Sequence, residues 1–327
     1  MSGTKQETRP QFARPYLMTI STVFFDTHGM IRSGWRALFF LVFYGGISVV
    51  SQGLLIAAMP YLIRETADQR VLGLAGLFVG TVLAGASAWG CGKLFERLPF
   101  AAFGASFSKG WLKHLAIGNA LGFLAIAAAI LPAFVDGNLR FSVSTEPASV
   151  IAYQLTLSFV FFAFGAAFEE ALFRGYVLQT FARGGYAWFA IALTSVLFGA
   201  VHLANPAADW ISTVNTILAG VVFSVAYLRT LDLWLPFGLH FMWNFAQGSV
   251  FGIEVSGLKF LSPISLFIET DRGPKWLTGE SYGIEGSVGC TIALLLLIAA
   301  IYLIPSLKPD ERLVALSRHS ETTPLES

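Results

Sequence analysis

The sequence predicts an all-α fold, a polytopic membrane bundle of about eight transmembrane helices, on three observations. Hydrophobic residues make up 55% of the 327 positions and charged residues only 13%. The mean hydropathy is +0.66. A soluble globular chain carries about 25% charged residues. The apolar residues also gather into eight runs, at 37–59, 71–92, 115–134, 149–170, 186–204, 211–228, 234–251 and 287–306. Each is close to the ~20 residues a helix needs to cross a bilayer.

Ahead of the first run, residues 1–36 mix polar and aromatic positions, such as Phe24-Phe25-Asp26, and are expected to form a cytoplasmic or interfacial segment. Lys5, Arg9 and Arg14 precede any long apolar run. That is unlike a cleaved signal peptide, so the first span is expected to be kept as an anchor. The second run holds Gly76 and Gly80, a GxxxG spacing read as a packing face because small residues let backbones approach. Residues 98–114 form a connection in which His114, beside Lys113, is expected to be solvated. The fourth run is free of charge from Ser149 to Phe168 and then meets Glu169-Glu170. Gly184-Gly185 predicts a turn before the fifth run and Asn205-Pro206 a break after it. Residues 252–286 contain Pro263, Gly273-Pro274 and the charges Glu269, Asp271 and Arg272, and are expected to form a long external loop. The bundle thus covers 37–306, with its core at about 149–251, and 307–327 is a polar cytoplasmic tail.

Of the 21 Lys and Arg residues, 15 fall in the N-terminal segment, the C-terminal tail and the connections on the same side as these. The positive-inside bias therefore places both termini in the cytoplasm. A net charge of +1 offers no basic stripe, which sets nucleic acid aside as a partner. Cys91 and Cys290 stand among apolar or small residues, with no CxxC and no Cys–His spacing, and are read as packing residues.

Ionisable groups inside the spans need a reason, because a charge near the bilayer centre costs about 2.5–3.5 kcal/mol on insertion scales. They are few. Beside Glu169 and Glu170 stand His202, four residues after Phe198, and His240, four residues before Asn244. Residues four apart share a helix face, so Glu170 is expected to pair with Arg174. Glu169 lies about 100° further round and is left to face the interior. Glu169 and His202 reach similar depth only if the fourth helix runs on through Arg174 and Gln179 to the turn at Gly184-Gly185.

Two enzymatic schemes use this set. In one, Glu169, His202 and His240 hold a divalent metal such as zinc, whose bound water becomes the nucleophile. In the other, Glu169 takes a proton from water with help from His202, while His240 and Asn244 stabilise the oxyanion. Both would hydrolyse a peptide bond. A proton-coupled transporter is the competing class, since buried carboxylates and histidines also form relays. An immunity or scaffold protein is a second non-proteolytic alternative. Against a transporter, the sequence shows no inverted repeat and no matching pair of broken helices.

These motifs resemble those of the CPBP intramembrane proteases, which include the type II CAAX prenyl endopeptidases and bacteriocin-processing relatives. The pattern EExxxR, then FxxxH, then HxxxN is matched by Glu169-Glu170 with Arg174, by Phe198 with His202, and by His240 with Asn244. The resemblance covers about 150–250. It implies a membrane helical bundle whose site opens to the cytoplasm, and an endopeptidase acting on a membrane-anchored protein or peptide. Prenylated CAAX proteins, bacteriocin precursors and signalling peptides are all substrates of relatives. Carried over by position, Glu169 is the water-activating carboxylate and His202, His240 and Asn244 complete the site; the ion is left open.

Overall fold

The computed structural model describes residues 20–27, 29–62, 69–261 and 263–318. The charges Lys5, Arg9 and Arg14 and the end of the tail lie outside the described residues. The long apolar runs fold as helices: α1 Ser33–Leu62, α2 Gln69–Glu96, α3 Trp111–Val135, α4 Ala148–Leu172, α5 Ala187–His202, α6 Trp210–Thr230, α7 Trp234–Phe245 and α8 Val288–Leu303. A short amphipathic helix, α9 Glu311–Arg318, follows. The chain is an integral membrane protein built as an all-α bundle. Among the described residues, five helices are long and apolar enough to cross a membrane on their own, namely α1, α2, α3, α4 with its extension, and α6. At 16 residues each, α5 and α8 span only about 24 Å.

The fourth helix runs on as the depth argument requires. After Leu172 it widens into a π turn, Phe173–Val177, and continues as Leu178–Arg183, so that Ala148–Arg183 is one helix of 36 residues. Gly184 and Gly185 then turn the chain, Gly185 with φ +81°, and α5 returns antiparallel. A π turn leaves one carbonyl without its usual partner. Here the Arg174 carbonyl accepts from Gln179 Nε2 at 3.0 Å, and the same amide donates to Phe103 O at 3.0 Å.

Alternate connections sort to two ends of the bundle. At one end, Glu96 at the close of α2 meets Arg36 of α1 at 2.7 Å and Arg183 beyond α4 at 3.0 Å. Lys109 N donates to Asp310 Oδ2 at 2.8 Å on the same end. At the other end, β1 Leu139–Val143 pairs antiparallel with β2 Phe267–Asp271, Phe141 opposite Glu269. The predicted external loop is therefore a folded structure, stitched to the connection between α3 and α4.

The centre belongs to α6, 56% buried over its most apolar stretch against 6% for α1. Its start carries a capping box: Asp209 Oδ1 accepts from Ser212 N at 2.9 Å, and Ser212 Oγ accepts from Asp209 N at 2.8 Å. The most extensive helix contact joins α3 to α7, and it depends on glycine. A Cβ on Gly118 would stand 2.5 Å from Leu235 O, and one on Gly238 would stand 2.7 Å from Leu115 O. Gly122 is closer still to Leu239. In lipid, where apolar surface gains little by leaving its surroundings, such backbone approach is what holds helices together. The Gly76 and Gly80 pair, read from the sequence as the packing face, meets only side chains, Leu55 and Phe168. His114 is also not solvated. It is buried at 2% exposure, with Nδ1 2.5 Å from Asp232 Oδ2, because the connection before α7 folds over the first turn of α3.

Candidate active site

The three predicted motifs converge. Glu169, His202, His240 and Asn244 line one cavity of about 240 Å³, to which α2, α4, α5, α6, α7, α8 and the loop before α8 also contribute. Glu170 is 1% exposed, and its Oε1 accepts from Arg174 Nη1 at 3.3 Å, the pairing expected from spacing. The same oxygen lies 2.9 Å from His240 Nδ1, a bond that spacing within one helix cannot reveal. Glu169 keeps part of its side chain accessible, and its Oε2 stands 3.7 Å from His240 Nε2 with no hydrogen-bond partner among the described residues.

Both histidines are fixed through Nδ1. His202 Nδ1 lies 2.7 Å from Phe198 O, which can only accept, so Nδ1 carries a proton. In the neutral ring, Nε2 then holds the free lone pair. His240 offers Nδ1 to the Glu170 carboxylate, and Nε2 is again the atom turned towards Glu169.

Arg174 is fully buried beside these groups. Its Nη2 donates to Gly220 O at 3.1 Å, and its guanidinium carbon lies 4.8 Å from the Phe198 ring and 5.1 Å from the Phe223 ring. Gly220 also lets α6 close on α5, since a Cβ there would stand 2.7 Å from the Ser195 backbone. Phe198 explains its place four residues before His202: one ring touches Arg174, lies 4.7 Å from His202 and 6.0 Å from His240. Phe223 stacks on His240 at 4.5 Å and 15°.

Three features escaped the sequence reading. Phe223 gives no signal apart from its neighbours on an apolar helix. Ser256 and Glu285, from the segment expected to lie outside, line the cavity. Glu285 carried one readable sign, an acid within Gly283-Ile284-Glu285-Gly286 directly before an apolar helix. Cys91 and Cys290 are free and buried, as packing residues are, and Cys290 also borders the cavity.

The proposed metal set does not assemble. Among the described residues, no three His, Cys, Asp or Glu side chains gather closely enough to hold one ion. Glu169 and His240 adjoin, while His202, on α5, lines the same cavity without closing on them. As they stand, Glu169, His202 and His240 do not make the three-ligand set of a catalytic zinc.

No curated protein matches the chain. Residues 151–246 match the family described as type II CAAX prenyl endopeptidase Rce1-like. That stretch contains Glu169, Glu170, Arg174, His202, His240 and Asn244, and over it the chain is similar to the type II CAAX prenyl endopeptidases.

Proposed function

We propose that the protein hydrolyses a peptide bond of a membrane-anchored protein or peptide, of CAAX-like, bacteriocin-like or signal-peptide-like type, with Glu169 activating the water. One relation carries the reading: Glu169 Oε2, unpartnered among the described residues, stands beside His240 Nε2 on a cavity shared with His202 and Asn244. Glu169 takes a proton from water, whose oxygen attacks the carbonyl carbon. The Asn244 amide donates to the resulting oxyanion, and His240 joins it only when doubly protonated, because its Nδ1 already serves Glu170. The proton then passes to the leaving amine as the C–N bond breaks, with His202 Nε2 as the second acceptor along the route. No step is routed through a metal. Elemental analysis of active protein tests this glutamate-type reading against the metallo-type.

The bundle at 37–306 holds the protease core at about 149–251, between a cytoplasmic or interfacial segment, 1–36, and a cytoplasmic tail, 307–327. Both termini are assigned to the cytoplasm, and the end where Arg36, Glu96 and Arg183 meet is the cytoplasmic one, supported by the excess of Lys and Arg on that side. Cleavage by purified protein in detergent, where no gradient exists, separates a protease from a transporter. A proteome comparison of a deletion strain, read for lost processed termini, identifies the substrate.

A further inference from the structure

Glu285 belongs to none of the three motifs and lies outside the stretch that matches the family. It nevertheless borders the cavity together with Glu169, His202, His240 and Asn244. Two independent anchors hold it there. Its backbone is fixed by α6: Asn215 Nδ2 donates to Glu285 O and to Ser287 O, each at 2.8 Å, while Asn215 Oδ1 accepts from Thr291 Oγ1 at 2.6 Å. Its carboxylate is fixed by two other elements. Oε2 accepts from Ser256 N at 2.6 Å and from Ser256 Oγ at 2.8 Å, and Oε1 accepts from Trp243 Nε1 at 3.2 Å.

Trp243 directly precedes Asn244 on α7, so one carboxylate joins the helix that carries half the site to the loop around Ser256. The loop is pressed against the other half. Gly257, at φ +76°, packs on the Pro206 carbonyl in the turn after His202, with no room for a side chain, and its N donates to Tyr282 O at 3.0 Å. A carboxylate has about four acceptor positions and three are taken, which leaves one for the cavity. Burial pushes the Glu285 carboxyl up, opposed by the Ser256 hydrogen bonds, by His202 and by Trp243. A group desolvated at that cost and satisfied from three elements is a built feature of the site.

We propose that Glu285 is a further positioning residue of the site, which holds the segment around Ser256 as the cavity wall beside Trp243 and His202 and so sets where the substrate chain lies. The proposal rests on the protease reading above. Its test uses the full-length protein in detergent with a fluorescent membrane-anchored peptide, measuring kcat and KM by cleavage, Kd by anisotropy and thermal stability alongside.

Glu285→Gln is expected to fold and to lose about 10- to 100-fold in kcat/KM, the scale of a misplaced reacting group. Ser256→Ala is expected to reproduce part of that loss, mainly in KM. The double variant is expected to be no worse than Glu285→Gln, because both act through one contact. A role in stability alone would lower the melting temperature and leave kcat and KM of the folded fraction unchanged, and that result overturns the proposal. If Glu285→Gln does not fold, Ser256→Ala decides, and wild-type constants there overturn it. If the wild type cleaves no peptide, the protease reading fails separately. Peptide affinity then decides: weakened by Glu285→Gln or Ser256→Ala supports the wall, unchanged overturns it.

Discussion

Glu170 and His240, seventy positions apart in the chain, are joined by a 2.9 Å hydrogen bond between Glu170 Oε1 and His240 Nδ1, and Arg174 shares the same oxygen. The adjacent glutamates therefore have different work. Glu170 orients a histidine and neutralises a buried guanidinium, while Glu169 faces the cavity. Removing Glu170 leaves Arg174 charged and unpaired in the protein interior. Breaking a buried pair in this way costs about 3–5 kcal/mol. Glu170→Ala and Arg174→Ala are expected to lower thermal stability in detergent sharply and to abolish activity together with the fold. Arg174→Lys is expected not to rescue, since an ammonium cannot reach Gly220 O while stacking between Phe198 and Phe223. Unfolding curves with activity per folded molecule check both.

His202 and His114 form a contrasting pair. His202 ends α5, is partly accessible and, with its Nδ1, hydrogen-bonds the carbonyl one turn back. His202→Ala is expected to leave stability near wild type and to lower kcat by about 100-fold or more, the usual range for a lost proton-transfer group. His114→Ala, which takes away the partner of the buried Asp232 Oδ2, is expected to do the reverse: a lower melting temperature with activity retained per folded molecule.

The glycines of α3 place α7, and with it His240 and Asn244. Gly118→Ala and Gly122→Ala are expected to cost about 1–3 kcal/mol each through overpacking against the α7 backbone, and to depress activity beyond the loss of fold. Gly76→Ala, whose Cβ would come no closer than 3.9 Å to the Leu55 side chain, is expected to be nearly neutral. Melting temperatures and specific activities of the three variants separate these outcomes.

A pH effect is expected at the end of the bundle away from the Arg36–Glu96–Arg183 cluster. Burial, aided by Glu254 and Asp271 and opposed by Lys259, pushes the Glu269 carboxyl up to about 8. The folded state thus keeps a proton that the unfolded chain releases near its ordinary 4.5. The stabilisation is fully present below that lower value and is lost as pH rises through about 8. Hydrogen-exchange protection of β1 and β2 should fall across this window, and Glu269→Gln should flatten the dependence. Unchanged protection in the wild type across the window would contradict it.

What the chain made legible was local. Uncharged runs of twenty residues fold as helices because lipid leaves the backbone no other partner, and i, i+4 spacing exposes Glu170 with Arg174 and His240 with Asn244. Even the long hairpin at Gly184-Gly185 followed from requiring Glu169 and His202 to share a depth. What stayed hidden depends on contacts between helices. The Glu170–His240 bond, the stacking of Phe223 and the burial of His114 on Asp232 each join residues far apart in the chain. Glu285 was hidden differently, because turn residues and charges between 252 and 286 look like solvent-exposed loop until the loop folds back. The metal set is of the same kind: spacing shows which face a ligand lies on, and not whether three faces close on one point.

The central claim is that Glu169 activates the water. Its most direct test is the initial rate at which purified Glu169→Gln, folded and monodisperse in detergent, cleaves a membrane-anchored peptide that the wild type cleaves. The account predicts loss of cleavage by at least about 100-fold with peptide affinity retained. Cleavage by Glu169→Gln at the wild-type rate would contradict it.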